Sequence, residues 1–287
     1  MEKIQAAIAK ARADRMVALA TDNSAARALD DESGEAAAVL APAPPPEPET
    51  PESAWLALPA FTPKPKRMRQ SRILALEPGP EALPFGVIRT RMLQQMQANG
   101  WRRIGITSPG PGCGKSVLAL NLAFSLARQA DQRTILIEAD LRRPSLNRYL
   151  GLKPGAQVAR VLEGTAPLSD HAVRYGTNLI LATQSGPQSN PAELLQSSAT
   201  KKALDAIAER YEPTVMLFDL PPLMIGDDVM AVAGTLDAML IVAAAETTTI
   251  KQIDRCEREL AAQVNVMGVI LNKCRYTDET ESYAYRY

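Results

Sequence analysis

Short apolar runs alternate with amphipathic stretches through the C-terminal two-thirds of the chain. The strand-like runs cover residues 103–107, 134–138, 178–182, 214–218, 238–243 and 266–271. Helical patterns lie before or between most of these runs, at 84–98, 115–129, 199–210 and 249–263. Apolar strands separated by helices are typical of a sheet that is buried on both faces. The pattern therefore predicts an α/β fold with a mostly parallel sheet flanked by helices.

The first part of the chain lacks this alternation. Residues 1–22 read as a short N-terminal helix, and residues 23–75 are Ala/Pro-rich, with nine prolines between Pro42 and Pro65. Such a composition buries too little apolar surface to fold, so it predicts a disordered linker. We therefore expect a folded domain over 76–275 and a flexible, tyrosine-rich tail over 276–287.

The linker ends in a run of basic residues: Lys64, Lys66, Arg67, Arg69 and Arg72. This run has two interpretations. It is either a solvated part of the linker or a contact with anionic lipid headgroups, which would give peripheral attachment to a membrane.

Composition narrows the function classes. The 287 residues carry 32 basic and 32 acidic side chains, and no motif for nucleic-acid binding is present. A single histidine, His171, excludes His-based metal centres and catalytic triads. The three cysteines show no metal or redox spacing, and no secretory signal or membrane-spanning run is apparent, so we expect a cytoplasmic protein.

The clearest chemical motif lies between the run at 103–107 and the helical stretch that follows. Its sequence is Ser-Pro-Gly-Pro-Gly-Cys-Gly-Lys-Ser over residues 108–116, although the strict phosphate-loop pattern places glycine where Pro109 stands. Glycine-rich backbone before a helix points its N–H groups at an anion, and the helix dipole adds positive potential. The motif predicts a P-loop NTPase whose ATP-binding residues are Gly110, Pro111, Gly112, Cys113, Gly114, Lys115, Ser116 and Val117.

Acidic residues follow two of the apolar runs. Asp140 comes shortly after the run at 134–138, and Asp219 comes directly after the run at 214–218. Because strands of a parallel sheet end at the same edge, both carboxylates are expected to face the loop. We predict that Ser116, Asp140 and Asp219 hold Mg²⁺ and that Lys115, Asp140 and Asp219 take part in catalysis.

Two further side chains at strand ends have open interpretations. Arg142 is a candidate catalytic residue that would contact phosphate, or else a surface arginine. Asn272, after the last apolar run, could recognise an adenine edge, or terminate the strand in a turn.

The tail is a second distinctive feature. Four of the seven tyrosines lie in the last twelve residues: Tyr276, Tyr283, Tyr285 and Tyr287. They are interleaved with polar residues and cannot all enter a core. They are either simply exposed or phosphoryl acceptors carried on a mobile tail.

These motifs together resemble the bacterial tyrosine kinases of the CpsD/CapB type, within the MinD/ParA-like P-loop ATPases, over residues 84–287. The matching segments are the P-loop at 111–116, Ile-Glu-Ala-Asp-Leu-Arg-Arg-Pro-Ser-Leu at 137–146, Gly-Pro-Gln-Ser-Asn-Pro-Ala-Glu-Leu-Leu at 186–195, Phe-Asp-Leu-Pro-Pro at 218–222, and the tail. The chain has Glu138 where the family has the first acid of its Asp-x-Asp-x-Arg element. It has Leu83, Gly86 and Arg89 where the family has an oligomerising Glu-x-x-Arg-x-x-Arg helix. The signature lysine that MinD/ParA proteins carry near position 110 is absent.

The resemblance implies an ATP- and Mg²⁺-dependent autokinase that phosphorylates tail tyrosines in trans and regulates exopolysaccharide or capsule polymerisation and export. It also implies self-association and a transmembrane activator of the chain-length-determinant (Wzz-like) type, with recruitment to the inner face of the cytoplasmic membrane. Two alternatives remain: a MinD/ParA-like ATPase switch without kinase activity, and a nucleotide-binding scaffold of a polysaccharide export complex.

Overall fold

The structure, a computed structural model, describes residues 50–275. In this part of the chain a seven-stranded sheet has the strand order β3-β4-β2-β5-β1-β6-β7. Its strands are Arg103–Ser108 (β1), Thr134–Glu138 (β2), Ala172–Tyr175 (β3), Leu179–Ala182 (β4), Val215–Pro222 (β5), Ala238–Ala244 (β6) and Asn265–Asn272 (β7). The predicted N-terminal helix at 1–22, the first part of the predicted linker and the tail at 276–287 lie outside the described residues.

Helices precede or separate the strands, except that β4 follows β3 directly. They are Pro51–Ala57 (α1), Pro65–Gln70 (α2), Leu83–Asn99 (α3), Lys115–Ala127 (α4), Leu146–Leu150 (α5), Val158–Leu162 (α6), Pro191–Gln196 (α7), Ser198–Tyr211 (α8), Asp228–Ala233 (α9) and Ile250–Ala261 (α10). Two apolar clusters of buried side chains form the core, so the mostly parallel α/β architecture is confirmed.

Burial of the strands follows from their place in the sheet. Strands β2, β5 and β6 are buried at every position, whereas the edge strand β7 is exposed or partly buried at every position except Met267. Strand β5 lies between β1 and β2, and both pairings are parallel. The residues that end β2 and β5 are therefore brought beside the loop that follows β1.

Strand β3 was not predicted. It pairs with β4 in the antiparallel direction at the far edge of the sheet. Its four residues, Ala-Val-Arg-Tyr, are too few and too mixed in polarity to give a periodic signal.

The predicted disordered linker is wrong for residues 50–75. This segment packs against the domain along its length. We call residues 50–76 the strap. Trp55 is fully buried and donates from Nε1 to the Tyr211 carbonyl oxygen at 2.7 Å. Residues 59–61 extend the sheet edge, because the amide of Phe61 donates to the Arg174 carbonyl at 2.7 Å. The prediction was wrong because it was based on the average composition, in which proline dominates, and not on the few large apolar residues that anchor the strap.

Among residues 50–275, every helix is too short or too polar to cross a lipid bilayer.

Candidate nucleotide site

The loop between β1 and α4 has the backbone of an anion nest. Gly112 and Gly114 have φ angles of 78° and 92°, which glycine adopts without strain. Helix α4 begins at Lys115, immediately after Gly114. Its first amides and its dipole therefore point at the space above the loop, which is the arrangement that binds phosphate.

Asn272, at the end of β7, holds this loop in place. Its Nδ2 donates to the Cys113 carbonyl oxygen at 2.9 Å. A Cβ atom at Gly114 would collide with the same Nδ2, so this position requires glycine on two counts. The Asn272 side-chain amide, which was predicted to recognise the adenine edge, is thus hydrogen-bonded to the loop backbone. Its contact with adenine stays a prediction.

Lys115 joins the two predicted catalytic acids. Its Nζ lies 2.6 Å from Oδ2 of Asp140 and 3.8 Å from Oδ1 of Asp219. Burial alone would lower the pKa of Lys115, but the carboxylates of Asp219 and Asp140 outweigh it and raise the pKa. The ammonium is therefore held charged at the position where it can meet the β- and γ-phosphates.

Asp219 is the unusual member of this group. It is completely buried, and neither carboxylate oxygen has a hydrogen bond of good geometry to any residue in the described chain. Burial raises its pKa, and the neighbouring Lys115 ammonium and Ser116 hydroxyl offset this only in part. Buried carboxylates are normally paired or bound to a cation, so this side chain is suited to binding Mg²⁺.

The donor set fits Mg²⁺. No cluster of three or more His, Cys, Asp or Glu side chains with metal-binding geometry occurs within residues 50–275. Mg²⁺ in phosphate-binding sites commonly takes one or two carboxylates and completes its shell with phosphate oxygens and water. Ser116, Asp219 and Asp140 supply that kind of partial shell beside the loop.

Glu138 has a different role from its neighbours. It is fully buried, and its Oε1 accepts from the amides of Ser145 and Leu146, the latter at 2.7 Å. Its Oε2 accepts from the Gln184 amide at 2.8 Å. Burial raises the pKa of Glu138 to about 7, against the opposing effect of these three amides. The side chain ties the start of α5 to the loop after β4 and does not line the site.

Arg142 pairs with acids after β5. Its Nε lies 2.6 Å from Oδ2 of Asp228, and its Nη2 lies 3.7 Å from Oδ1 of Asp227. Asp228 is nearly fully buried, whereas the Arg142 side chain is 44% exposed. Arg142 lines the nucleotide cavity, but its hydrogen bond fixes the loop after β2 to the start of α9.

These features surround a cavity of about 460 Å³. Of the predicted residues, the cavity wall contains Pro111, Gly112, Gly114, Lys115, Ser116, Val117, Asp140 and Arg142. The other four predicted residues, Gly110, Cys113, Asp219 and Asn272, are not part of the cavity wall. The tail tyrosines lie outside the described residues.

Several residues that line the site were not predicted from the sequence. Residues 70–72 of the strap line the cavity, as do Tyr149 of α5 and Asp228 of α9. One available signal was Asn121, a lone amide inside the apolar helix α4, because a buried amide needs partners from another segment.

Comparison with known proteins agrees with this geometry. A family model described as ParA, an NUBPL iron-transfer P-loop NTPase, matches residues 101–285. The solved structure of the VpsO kinase domain superposes with a TM-score of 0.60 at 30% identity, covering 68% of this chain and 96% of that one.

Curated relatives are named tyrosine kinases. The tyrosine-protein kinase ptk of Acinetobacter johnsonii is 32% identical over 173 residues, which is 59% of this chain and 23% of ptk. The tyrosine-protein kinase CpsD of Streptococcus pneumoniae serotype 4 is 29% identical over 182 residues, covering 62% of this chain and 79% of CpsD. This chain thus spans only a part of the longer relatives. On the family model and the VpsO kinase domain, the chain belongs to the ParA/MinD-like P-loop NTPases and, among them, to the bacterial tyrosine kinases.

Proposed function

We propose that this chain is an ATP-dependent protein-tyrosine kinase that phosphorylates the C-terminal tyrosines of a neighbouring copy. The observation that carries the proposal is Lys115, which lies between Asp140 and Asp219 at the edge of the sheet beside an anion-binding loop. Tyrosine is supported as the acceptor because relatives of the chain are named tyrosine-protein kinases and because its own tail contains four tyrosines.

Each side chain has a specific task in this reaction. The loop amides and the Lys115 ammonium bind the phosphates of ATP, and the Ser116 hydroxyl and Asp219 would hold Mg²⁺. Bound Mg²⁺ would neutralise charge on the β- and γ-phosphate oxygens. Asp140, already at the cavity wall, orients the tyrosine hydroxyl and accepts its proton.

The transfer balances without another reactant. The tyrosine oxygen forms a bond to the γ-phosphorus, and the bond from that phosphorus to the β,γ-bridging oxygen breaks. The phenolic proton goes to Asp140, and ADP leaves. Little covalent chemistry falls to the protein, so positioning and charge supply most of the rate.

The biological setting belongs to the same proposal. The kinase would regulate exopolysaccharide or capsule polymerisation and export at the inner face of the membrane, activated by a transmembrane chain-length-determinant partner. Self-association would bring a tail to a neighbouring site. The remaining basic residue of the oligomerisation motif, Arg89, donates within its own chain to the Ser125 carbonyl at 3.0 Å, whereas Leu83 and Val87 on the same helix are exposed. An interface on α3 would therefore be more apolar than the charged motif of the family.

A mixing experiment tests the proposal. One partner is a full-length donor in which Tyr276, Tyr283, Tyr285 and Tyr287 are replaced by Phe. The other is a Lys115→Ala acceptor with a tag of different size. With Mg²⁺ and γ-labelled ATP, we expect label on the acceptor and none on the donor, and on neither when each is incubated alone.

The control is Lys153→Ala, a surface lysine change that should label like the wild type. Nucleotide hydrolysis with no labelled tyrosine would contradict the kinase proposal and favour an ATPase switch. Nucleotide binding with neither hydrolysis nor labelling would favour a scaffold.

A further inference from the structure

The strap brings a cationic side chain to the nucleotide cavity. Arg72 lines the same cavity as Lys115, Ser116 and Val117, although helix α3 and strand β1 lie between it and these residues in the sequence. Its side chain is exposed and has no hydrogen bond or ion pair to another residue between 50 and 275. Of the other four cations in the cavity wall, Lys115 and Arg142 are paired with carboxylates, whereas the side chains of Arg143 and Lys273, like that of Arg72, have no ion pair within residues 50–275.

The backbone of Arg72 is held in an uncommon conformation. Its φ angle is 56°, in the left-handed region that non-glycine residues seldom occupy because their Cβ atom crowds the backbone there. Such a conformation persists where the surroundings determine it, and it commonly marks positions with a functional demand.

Asn121 of the P-loop helix provides those surroundings. Its Nδ2 donates to the carbonyl oxygens of Arg72 at 2.9 Å and Val117 at 2.8 Å. Its Oδ1 accepts from the amides of Leu74 at 2.7 Å and Ala75 at 2.9 Å. A completely buried amide thus uses all its hydrogen-bonding capacity to fasten the strap to the first turns of α4.

A second contact fixes the strap from the other side of the cavity. The Ser71 hydroxyl donates to the Tyr149 carbonyl oxygen at 2.9 Å, and Met68 and Ile73 on either side are buried. The strap is therefore anchored both to the helix that begins at the phosphate loop and to α5, which follows Asp140. Between these anchors lies Arg72, the one charged residue among the three strap residues, 70–72, that line the cavity.

We propose that Arg72 is a nucleotide-binding residue, and that Asn121 is the positioning residue that aims it at the α- and β-phosphates. The assignment rests on the proposed function only in taking ATP and ADP as ligands. Asn121 also bonds to Val117, which follows Ser116 at the start of the helix, and the α- and β-phosphates lie on this part of a P-loop. A guanidinium is suited to phosphate because it presents several donors in one plane.

The test is calorimetric titration of the full chain with Mg·ADP and with a non-hydrolysable Mg·ATP analogue. Arg72→Ala should weaken both ligands by about tenfold, because one charge-assisted contact is lost in each complex. Arg72→Gly should do the same while relieving the left-handed backbone, and Arg72→Lys should lie between these variants and the wild type. Lys66→Ala, which removes an exposed charge from the strap outside the cavity wall, should bind like the wild type.

The second readout is hydrogen exchange of residues 70–76. Because binding and strap docking are linked, Mg·ADP should slow exchange there in the wild type and much less in Arg72→Gly. Asn121→Asp keeps the acceptor for Leu74 and Ala75 but turns a carboxylate towards two carbonyl oxygens. It should speed exchange in the strap and weaken nucleotide binding together.

The outcomes separate this inference from the proposed function. Wild-type affinity in both Arg72→Ala and Arg72→Gly would overturn the inference while leaving the kinase proposal intact. A loss confined to the ATP analogue would overturn the assignment to the α- and β-phosphates. If the wild type bound neither ligand, both the inference and the proposed function would fail.

Discussion

Two neighbouring carboxylates at the edge of the sheet have opposite environments. Glu138 of β2 and Asp219 of β5 are direct partners in the parallel register, and both are completely buried. Glu138 accepts three backbone hydrogen bonds, whereas Asp219 accepts none from the described residues. One carboxylate therefore completes the fold, and the other keeps its oxygens available to a cation. Position at a strand end does not by itself distinguish a structural acid from a functional one.

The largest effect should come from removing the structural acid. Glu138→Ala leaves three buried amides without an acceptor, and each unsatisfied group costs about 1–3 kcal/mol. We expect the free energy of unfolding to fall by about 4 kcal/mol, measured by urea denaturation without nucleotide. If the free energy of unfolding fell by no more than it does for an ordinary surface substitution, the three hydrogen bonds would not be structural.

The opposite pattern is expected for Asp219→Asn. Loss of a carboxylate that helps to hold Mg²⁺ should lower kcat/KM for tyrosine labelling by about 100-fold. The free energy of unfolding without nucleotide should fall much less than in Glu138→Ala, because removal of a buried charge offsets the lost attraction to Lys115, which stays paired with Asp140. Labelling at the wild-type rate would contradict the role given to Asp219.

Sequence could locate both acids but could not assign their roles. The alternation of apolar runs predicted the parallel sheet, and parallel strands place their ends at one edge, so Lys115, Asp140 and Asp219 were expected together. The role of Glu138 depends on amides from 145, 146 and 184, which only the folded chain brings to it. The strap was missed for a related reason: its anchors, Trp55 and the bonds to Asn121, are single long-range contacts inside a proline-rich segment.

The pH dependence of stability provides a finer test of Glu138. Burial raises the pKa of this carboxyl from 4.5 to about 7, so the folded state holds a proton that the unfolded state releases in that interval. Its contribution to stability is therefore complete below pH 4.5 and is lost as the pH rises through about 7. The total loss should not exceed about 3 kcal/mol.

The measurement is urea denaturation between pH 5 and pH 8 for the wild type and Glu138→Gln, with the difference between them plotted against pH. The wild type should lose stability relative to the variant as pH rises across the interval given by its two pKa values. A difference that stays constant would mean that Glu138 is ionised throughout and that the amides dominate over burial.

Asp228 offers an intermediate case with a smaller effect. One of its oxygens pairs with Arg142, and the other has no partner in the described chain. Because the Arg142 side chain is 44% exposed and screened by solvent, Arg142→Ala should lower the free energy of unfolding by about 1 kcal/mol. Thermal denaturation with and without added salt would detect it, and a loss as large as that of Glu138→Ala would place Asp228 among the structural acids.

The most direct test of the whole account is mass spectrometry of phosphotyrosine in residues 276–287 after the full chain is incubated with Mg·ATP. We predict phosphate on these tyrosines in the wild type and in Lys153→Ala, and its loss in Lys115→Ala and Asp219→Asn. ATP consumption by the wild type with no phosphate on any of the four tail tyrosines would contradict the account.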